Sequence, residues 1–162
     1  MEVMRKRLLV IALVFGMATL FIAAGLYAGT DVPDEIKMEN KAYAKHKKGI
    51  VTFPHKKHVE EYAKQFPDFY KNGCGECHHD ENNKPLALKV GDNVQPCIEC
   101  HKKPSERPKG KGVPKLSKKE RLAYHAEALH YNCKACHKNA NKKTGKKAAP
   151  TTCSKCHPKT KK

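Results

Sequence analysis

The 162-residue chain contains no tryptophan, and its other aromatic residues are five phenylalanines and six tyrosines. Acidic side chains are scarce as well: 16 Asp and Glu face 33 Lys and Arg, for a formal charge of +17. Beyond one N-terminal stretch, LLVIALVFGMATLFIAAGLYA, no run of Leu, Ile, Val and Phe could form a conventional core. A lysine-rich chain studded with Gly and Pro and this poor in apolar surface usually cannot offset its conformational entropy and stays disordered. Eight cysteines and ten histidines argue against that outcome. Something other than aliphatic side chains has to supply the core.

The apolar stretch follows Arg5, Lys6 and Arg7, a basic flank that with Leu8–Ala24 makes residues 1–28 an export signal. Cleavage after Ala28 fits, although Leu26 at the −3 position is bulkier than the preferred alanine. The run exceeds a usual signal core of about 7–15 residues and approaches the ~20 that span a bilayer. An uncleaved anchor, with membrane contact through the N-terminal segment, is the alternative. Either way the remainder is expected outside the cytoplasm, in the periplasm. The expected organisation is a signal at 1–28, a connector with a first hairpin strand at 29–48, and one functional domain at 49–162.

Export and an even cysteine count invite a disulfide framework, but the spacing points elsewhere. All eight cysteines fall in CGECH (Cys74, Cys77, His78), CIECH (Cys97, Cys100, His101), CKACH (Cys133, Cys136, His137) and CSKCH (Cys153, Cys156, His157). C-x-x-C-H is the attachment signature of c-type haem. Its two thiols add across the two vinyl groups, and the next histidine lies under the iron as the proximal ligand. A zinc ribbon also uses paired C-x-x-C units, and the positive charge would suit nucleic acid. Zinc does not require a histidine after every pair, however. With ten histidines in 162 residues, four such coincidences have a probability on the order of 10⁻⁵. The cofactor complement expected is four covalent haems c, with no nucleic-acid partner.

Each iron then needs a sixth ligand or keeps an open position. Six histidines remain: His46, His55, His58, His79, His125 and His130. Methionine is a poor alternative, because only Met38 lies beyond the N-terminal signal. In CGECHH, adjacent His78 and His79 cannot approach one iron from opposite faces. If both are ligands, they hold different haems. In FPHKKH, His55 and His58 are three apart and lie near one another on a helical turn.

FPHKKH, CGECHH and three further C-x-x-C-H units together resemble the class III cytochromes c, the tetrahaem cytochrome c3 family, over about 49–157. They are also similar to trihaem carriers of metal-reducing bacteria. The resemblance implies a small α+β, mostly irregular fold, with short helices and a short N-terminal hairpin wrapped around four haems. It implies His55, His79 and His58 as distal ligands of the first, second and third haems. The fourth comes from His130 or His125; its place shortly before CKACH matches the family better for His130. On a helical wheel the two border the Leu122–Ala126–Leu129 stripe on opposite sides, so geometry alone leaves both open. The implied activity is electron shuttling in anaerobic, sulfate-type respiration through bis-histidine, low-spin haems. No residue is catalytic. A haem reductase with one open iron is the rival reading, and the surplus of histidines counts against it. Unlike some relatives, all four motifs have two residues between the cysteines, and the insert before Cys74 is longer than in many.

Along the chain, TDVPDEIKMEN reads as an extended, mobile connector and KAYAKHKKGIVTF as a β-hairpin turning near Lys47–Gly49. VEEYAKQFPDFY has helical spacing up to Pro67. Ser117 and Glu120 form a capping-box pattern that starts a helix through LSKKERLAYHAEALHYNC. The segments around KKPSERPKGKGVPKLSKKE and KNANKKTGKKAAPTTCSKCHPKTKK read as irregular and basic. Lysine runs are by base rate a solvated face. Beside a haem edge, lysines such as Lys102, Lys103, Lys142 and Lys143 would also steer acidic redox partners, a periplasmic hydrogenase or a membrane-bound redox complex.

Overall fold

The computed structural model describes residues 32–159, so the export signal read at 1–28 lies outside the described residues. Of the described residues, 32–90 and 94–159 belong to one compact unit, which carries every motif histidine and cysteine. Strand β1 (Ile36–Lys37) pairs antiparallel with β2 (Thr52–Phe53), Ile36 opposite Phe53 and Lys37 opposite Thr52. Helix α1 spans 57–65, a π-helical stretch Lys57–Tyr62 continued by Ala63–Gln65, and stops before Pro67. Helix α2 is Lys118–Leu122. Helix α3 spans 125–144: His125–Leu129, a π-helical segment His130–Lys134, then Ala135–Thr144. Helix α4 is the single turn Cys153–Cys156. Short helices and one two-stranded sheet make a small, irregular α+β fold.

The hairpin differs from the sequence expectation in its first strand. That strand is Ile36–Lys37, inside the segment read as a mobile connector, and Met38 extends the pairing by donating to the Val51 carbonyl at 2.8 Å. The connector is also tied down at Asp34, whose carbonyl accepts from Lys56 N–H and whose carboxylate pairs with the Lys56 ammonium at 3.1 Å. Residues 41–48 form turns instead of a strand. The Asn40 side chain accepts the Ala42 N–H, and its carbonyl accepts that of Tyr43, a local alternative to a ladder.

The capping box forms as the sequence predicts. Ser117 Oγ accepts the Glu120 N–H at 3.3 Å, and the Glu120 carboxylate accepts the Ser117 N–H at 2.8 Å. The helix it opens does not run through to Cys133, however. Tyr124 is extended (φ −83°, ψ 118°), and the Lys103 backbone inserts at the break. Lys103 donates to the Ala123 carbonyl at 3.0 Å and accepts the His125 N–H at 2.8 Å. A remote strand-like residue thus satisfies both groups that the interrupted helix leaves open. The segment KNANKKT, read as irregular, is the end of α3. It closes on Gly145 at φ 69°, the left-handed position that glycine occupies without strain, with Lys142 and Lys143 in the last turn, where cations complement the helix dipole. Replacing Ser117 by alanine should cost about 1 kcal/mol of stability, read as a lowered urea midpoint of the haem-loaded protein with an unchanged visible spectrum.

The protein interior holds almost no side chain. Among the described residues only Gly75, His125 and Ala128 are buried, and no side chain is completely enclosed. Gly75 is dictated by space: a Cβ there would sit 2.6 Å from the Leu86 carbonyl oxygen.

Candidate functional site

Three of the C-x-x-C-H motifs are single helical turns. The first cysteine's carbonyl accepts the histidine N–H four residues on: Cys74 from His78 at 3.0 Å, Cys97 from His101 at 2.9 Å, Cys153 from His157 at 2.7 Å. Cys133 and Cys136 instead lie within α3. One turn of helix puts residues three apart on one face, which presents each pair of thiols together. None of the eight cysteines is in a disulfide. Crowding desolvates the Cys77 thiol and pushes it up to about 12, with Cys133 and Cys136 of the third motif adding to the effect.

The histidine that ends each motif faces a histidine from elsewhere. Ring centroids of His55 and His78 are 6.4 Å apart, His79 and His101 5.9 Å, His58 and His137 6.2 Å, and His130 and His157 6.2 Å. Two metal–imidazole bonds of about 2 Å each, with the ring radii added on both sides, come to roughly 6 Å between centroids. Imidazoles in direct contact would not need that gap. Among the described residues no three His, Cys, Asp or Glu side chains converge as a ligand set. Histidines gathered in twos suit an iron whose four equatorial positions are filled by a porphyrin; they do not suit tetrahedral zinc.

The second nitrogen of most of these rings is occupied. Nδ1 of His58 faces the Pro54 carbonyl at 2.9 Å, His79 that of Asp80 at 2.7 Å, and His101 that of Leu122 at 2.5 Å. His137 faces the Pro150 carbonyl at 2.7 Å and His157 that of Gly49 at 2.8 Å. A carbonyl only accepts, so Nδ1 carries the proton and Nε2 keeps its lone pair. Metal-ligating histidines are oriented in this way. Desolvation lowers the pKa of His55, His58, His78 and His130, which keeps the lone pair available at neutral pH. His55 Nδ1 is buried with no hydrogen-bond partner.

Local folding explains how the pairs arise. Strand β2 delivers Phe53, whose ring lies 4.6 Å from His58 and 5.8 Å from His55. His55, just ahead of α1, and His58 within it then occupy one helical turn, and their rings go to different partners. The doubled histidine of CGECHH divides likewise, His78 facing His55 and His79 facing His101. His79 and His101 line a cleft of about 250 Å³ with Gly75, Leu122, Ala128 and Tyr131.

His125 is placed differently. It is buried, and its Nδ1 shares a 2.9 Å hydrogen bond with the Tyr43 hydroxyl. The Tyr43 ring in turn stacks on His46 at 5.1 Å. Sequence reasoning missed Tyr43, which carries no motif. It also missed the carbonyls of Gly49, Pro54, Leu122 and Pro150, for which no side chain gives a signal. Of the basic residues singled out, Lys103 lies over the Tyr124 ring at 4.7 Å and Lys143 over Phe69 at 5.0 Å, while Lys102 and Lys142 are exposed.

Residues 32–157 match the family model described as the class III cytochrome c family. Comparison with curated proteins and with solved structures gave no match. Covalent attachment motifs, paired imidazoles and a family match over most of the chain agree: this protein belongs to the class III cytochrome c family, multihaem electron-transfer proteins that carry covalent haem c.

Proposed function

We propose that the chain is an exported carrier of four haems, each held between two histidines, that moves electrons between acidic redox proteins in anaerobic respiration. The observation that carries this reading is the set of four ring pairs at 5.9–6.4 Å, each joining one motif histidine to one histidine from outside its own motif. The residues would hold the haems as His55 with His78, His79 with His101, His58 with His137 and His130 with His157. Thioethers at Cys74 and Cys77, Cys97 and Cys100, Cys133 and Cys136, and Cys153 and Cys156 would attach them. Bound haem c supplies a one-electron ferric–ferrous couple.

The chain's part is to fix both axial imidazoles, exclude a water ligand and bring the groups close together. Adjacent His78 and His79, and His55 and His58 on one turn, tie separate sites through three residues of backbone or fewer. With two imidazoles per site and no methionine to raise it, the potential is expected to be low. The positive surface, including Lys102, Lys103, Lys142 and Lys143, draws in acidic partners such as a hydrogenase or a membrane redox complex. Export by the segment at 1–28 places this exchange in the periplasm.

The experiment is haem content and spin state in the purified protein. Four c-type haems per chain by pyridine haemochrome and mass, all low-spin, are expected. Fewer haems, or a high-spin signal in the resting protein that cyanide removes, would overturn the reading. His130→Ala is expected to make one haem high-spin, whereas His125→Ala leaves all of them low-spin, because His125 bonds Tyr43.

A further inference from the structure

The four ring pairs differ in orientation. Three are crossed: the planes of His55 and His78 meet at 74°, those of His79 and His101 at 67°, and those of His130 and His157 at 77°. His58 and His137 lie much closer to parallel, at 29°. The centroid separations span only 5.9–6.4 Å, so the distinction is one of rotation.

What surrounds His58 accounts for it. Its Nδ1–H donates to the Pro54 carbonyl at 2.9 Å, which fixes where that edge of the ring points. A carbonyl accepts over a broad range of directions, so this bond alone leaves the plane free to tilt. Two aromatic rings oppose the tilt. Phe53 lies 4.6 Å away at 48°, and Tyr62 stands edge to face at 5.1 Å and 84°, a favoured arrangement of two aromatic rings. Tyr62 follows His58 by four residues in the π-helical stretch of α1, hence on the same face, and it is partly buried. Phe53 also meets His55. Among the described residues, the Tyr62 ring meets His58 alone of the eight paired imidazoles. The facing His137 is held in turn by the Pro150 carbonyl at 2.7 Å.

An axial imidazole donates π density into the iron d orbital that lies perpendicular to its plane. Crossed planes raise two such orbitals alike, whereas parallel planes raise one and separate the pair. That separation gives a ferric low-spin haem a rhombic electron paramagnetic resonance spectrum. Crossed planes give a single strongly anisotropic low-field feature. Separation also stabilises the ferric state and so lowers the potential. Contacts that orient a ligand thereby tune the metal.

We propose that Tyr62 is a positioning residue that holds the His58 imidazole close to the plane of His137, and so sets the haem attached at Cys133 and Cys136 apart from the other three by a rhombic spectrum and a lowered potential. The proposal rests on the four-haem reading. It adds a means by which four chemically identical ligand sets become unequal, which gives an electron a preferred place within the cluster.

The test is electron paramagnetic resonance of the oxidised, haem-loaded protein in three forms. The unaltered chain is expected to show one rhombic haem beside three strongly anisotropic ones. Tyr62→Phe keeps the ring edge and should keep that spectrum. Tyr62→Leu keeps apolar bulk without a flat ring. It should lose the rhombic signal and raise the potential of one haem, with every haem still low-spin. In NMR spectra the methyl resonances of the haem attached at Cys133 and Cys136 should be the ones that redistribute. If the leucine variant fails to load haem, NMR of the unaltered chain still decides which haem is rhombic. No rhombic haem or several, a rhombic haem attached elsewhere, a signal that survives Tyr62→Leu, or its loss in Tyr62→Phe would overturn the proposal. Haem content reports separately on the underlying reading: four low-spin haems with identical spectra would sink the role of Tyr62 alone, and fewer than four would sink the reading beneath it.

Discussion

Replacing His79 by alanine is expected to turn one haem in four from low-spin to high-spin, and that haem should be the one attached at Cys97 and Cys100. The His79 ring faces His101 at 5.9 Å, while its chain neighbour His78 faces His55 at 6.4 Å. The substitution therefore strikes a haem other than the one whose cysteines lie beside it. His79 is also stiffly mounted. Its Nδ1 donates to the Asp80 carbonyl at 2.7 Å, and the Asp80 carboxylate accepts the Asn82 and Lys84 N–H groups at 2.9 and 2.8 Å. The turn closes with Lys84 accepting from Asp80 at 2.9 Å and Asn83 in the left-handed region at φ 63°.

No second histidine stands ready to replace it. His125 is bonded to Tyr43, and His46 stacks on that same tyrosine. The open position should bind cyanide or carbon monoxide. The potential of that one haem should rise by something on the order of 100 mV, a fraction of the ~0.8 V range that axial ligation commands. Redox titration with magnetic circular dichroism would resolve it. A His79→Ala protein in which the haem at Cys97 and Cys100 stays low-spin would refute the assignment.

The part of this site that the sequence makes legible is the part fixed by covalent and coordination chemistry over short spans. C-x-x-C-H is legible because vinyl spacing and proximal ligation demand it within five residues. His78 beside His79 is legible because adjacent rings cannot straddle one iron, and the structure does send them to different partners. The capping box at Ser117 and Glu120 is equally local, and it forms. Failures come where distant backbone decides. Strand β1 is two residues long and is selected by pairing with Thr52–Phe53, a long-range choice with too little sequence to show a period-2 pattern. The break at Tyr124 is imposed by Lys103, a residue twenty-one positions earlier. The helical run through KNANKKT has almost no apolar stripe to reveal it, since its residues are mostly exposed. His125 and His130 border the same stripe on the wheel. What separates them is Tyr43, which the connector loop brings to His125 alone.

Withholding haem is expected to leave the chain unfolded. Ordering a residue costs about 1–2 kcal/mol of backbone entropy, and domains meet that cost chiefly by burying apolar side chains. Among its described residues Ala128 is the buried hydrophobic side chain, His125 and Gly75 are buried as well, and no side chain is completely enclosed. The long-range contacts are polar and thin, among them a two-residue ladder, the Tyr43–His125 and His157–Gly49 bonds, the Lys103 backbone bonds to Ala123 and His125, and Asn132 donating to the Cys77 carbonyl at 3.2 Å. None can hold the motifs together against a formal charge of +17 that repels itself. The paired histidines make matters worse in isolation, because two imidazolium rings brought together repel. On the proposed reading haem would reverse each term: its macrocycle is apolar, its propionates are anionic, and its iron would join two imidazoles.

Cofactor binding and folding should then be one event, as in small metal-dependent domains. A chain with all eight cysteines changed to serine, or one made without haem attachment, should give coil-like circular dichroism and collapsed amide dispersion. Removing one attachment, Cys133→Ser with Cys136→Ser, should destabilise the rest by roughly 4–5 kcal/mol or more, the range in which loss of a bound metal centre falls. The effect should be largest around α3, whose helix carries both cysteines and His137. A haem-free chain with dispersed resonances and a cooperative thermal transition would mean that the polypeptide builds this fold by itself. The four histidine pairs would then be preformed receptors, whereas the thin interior argues that they would form only with the haems they are proposed to hold.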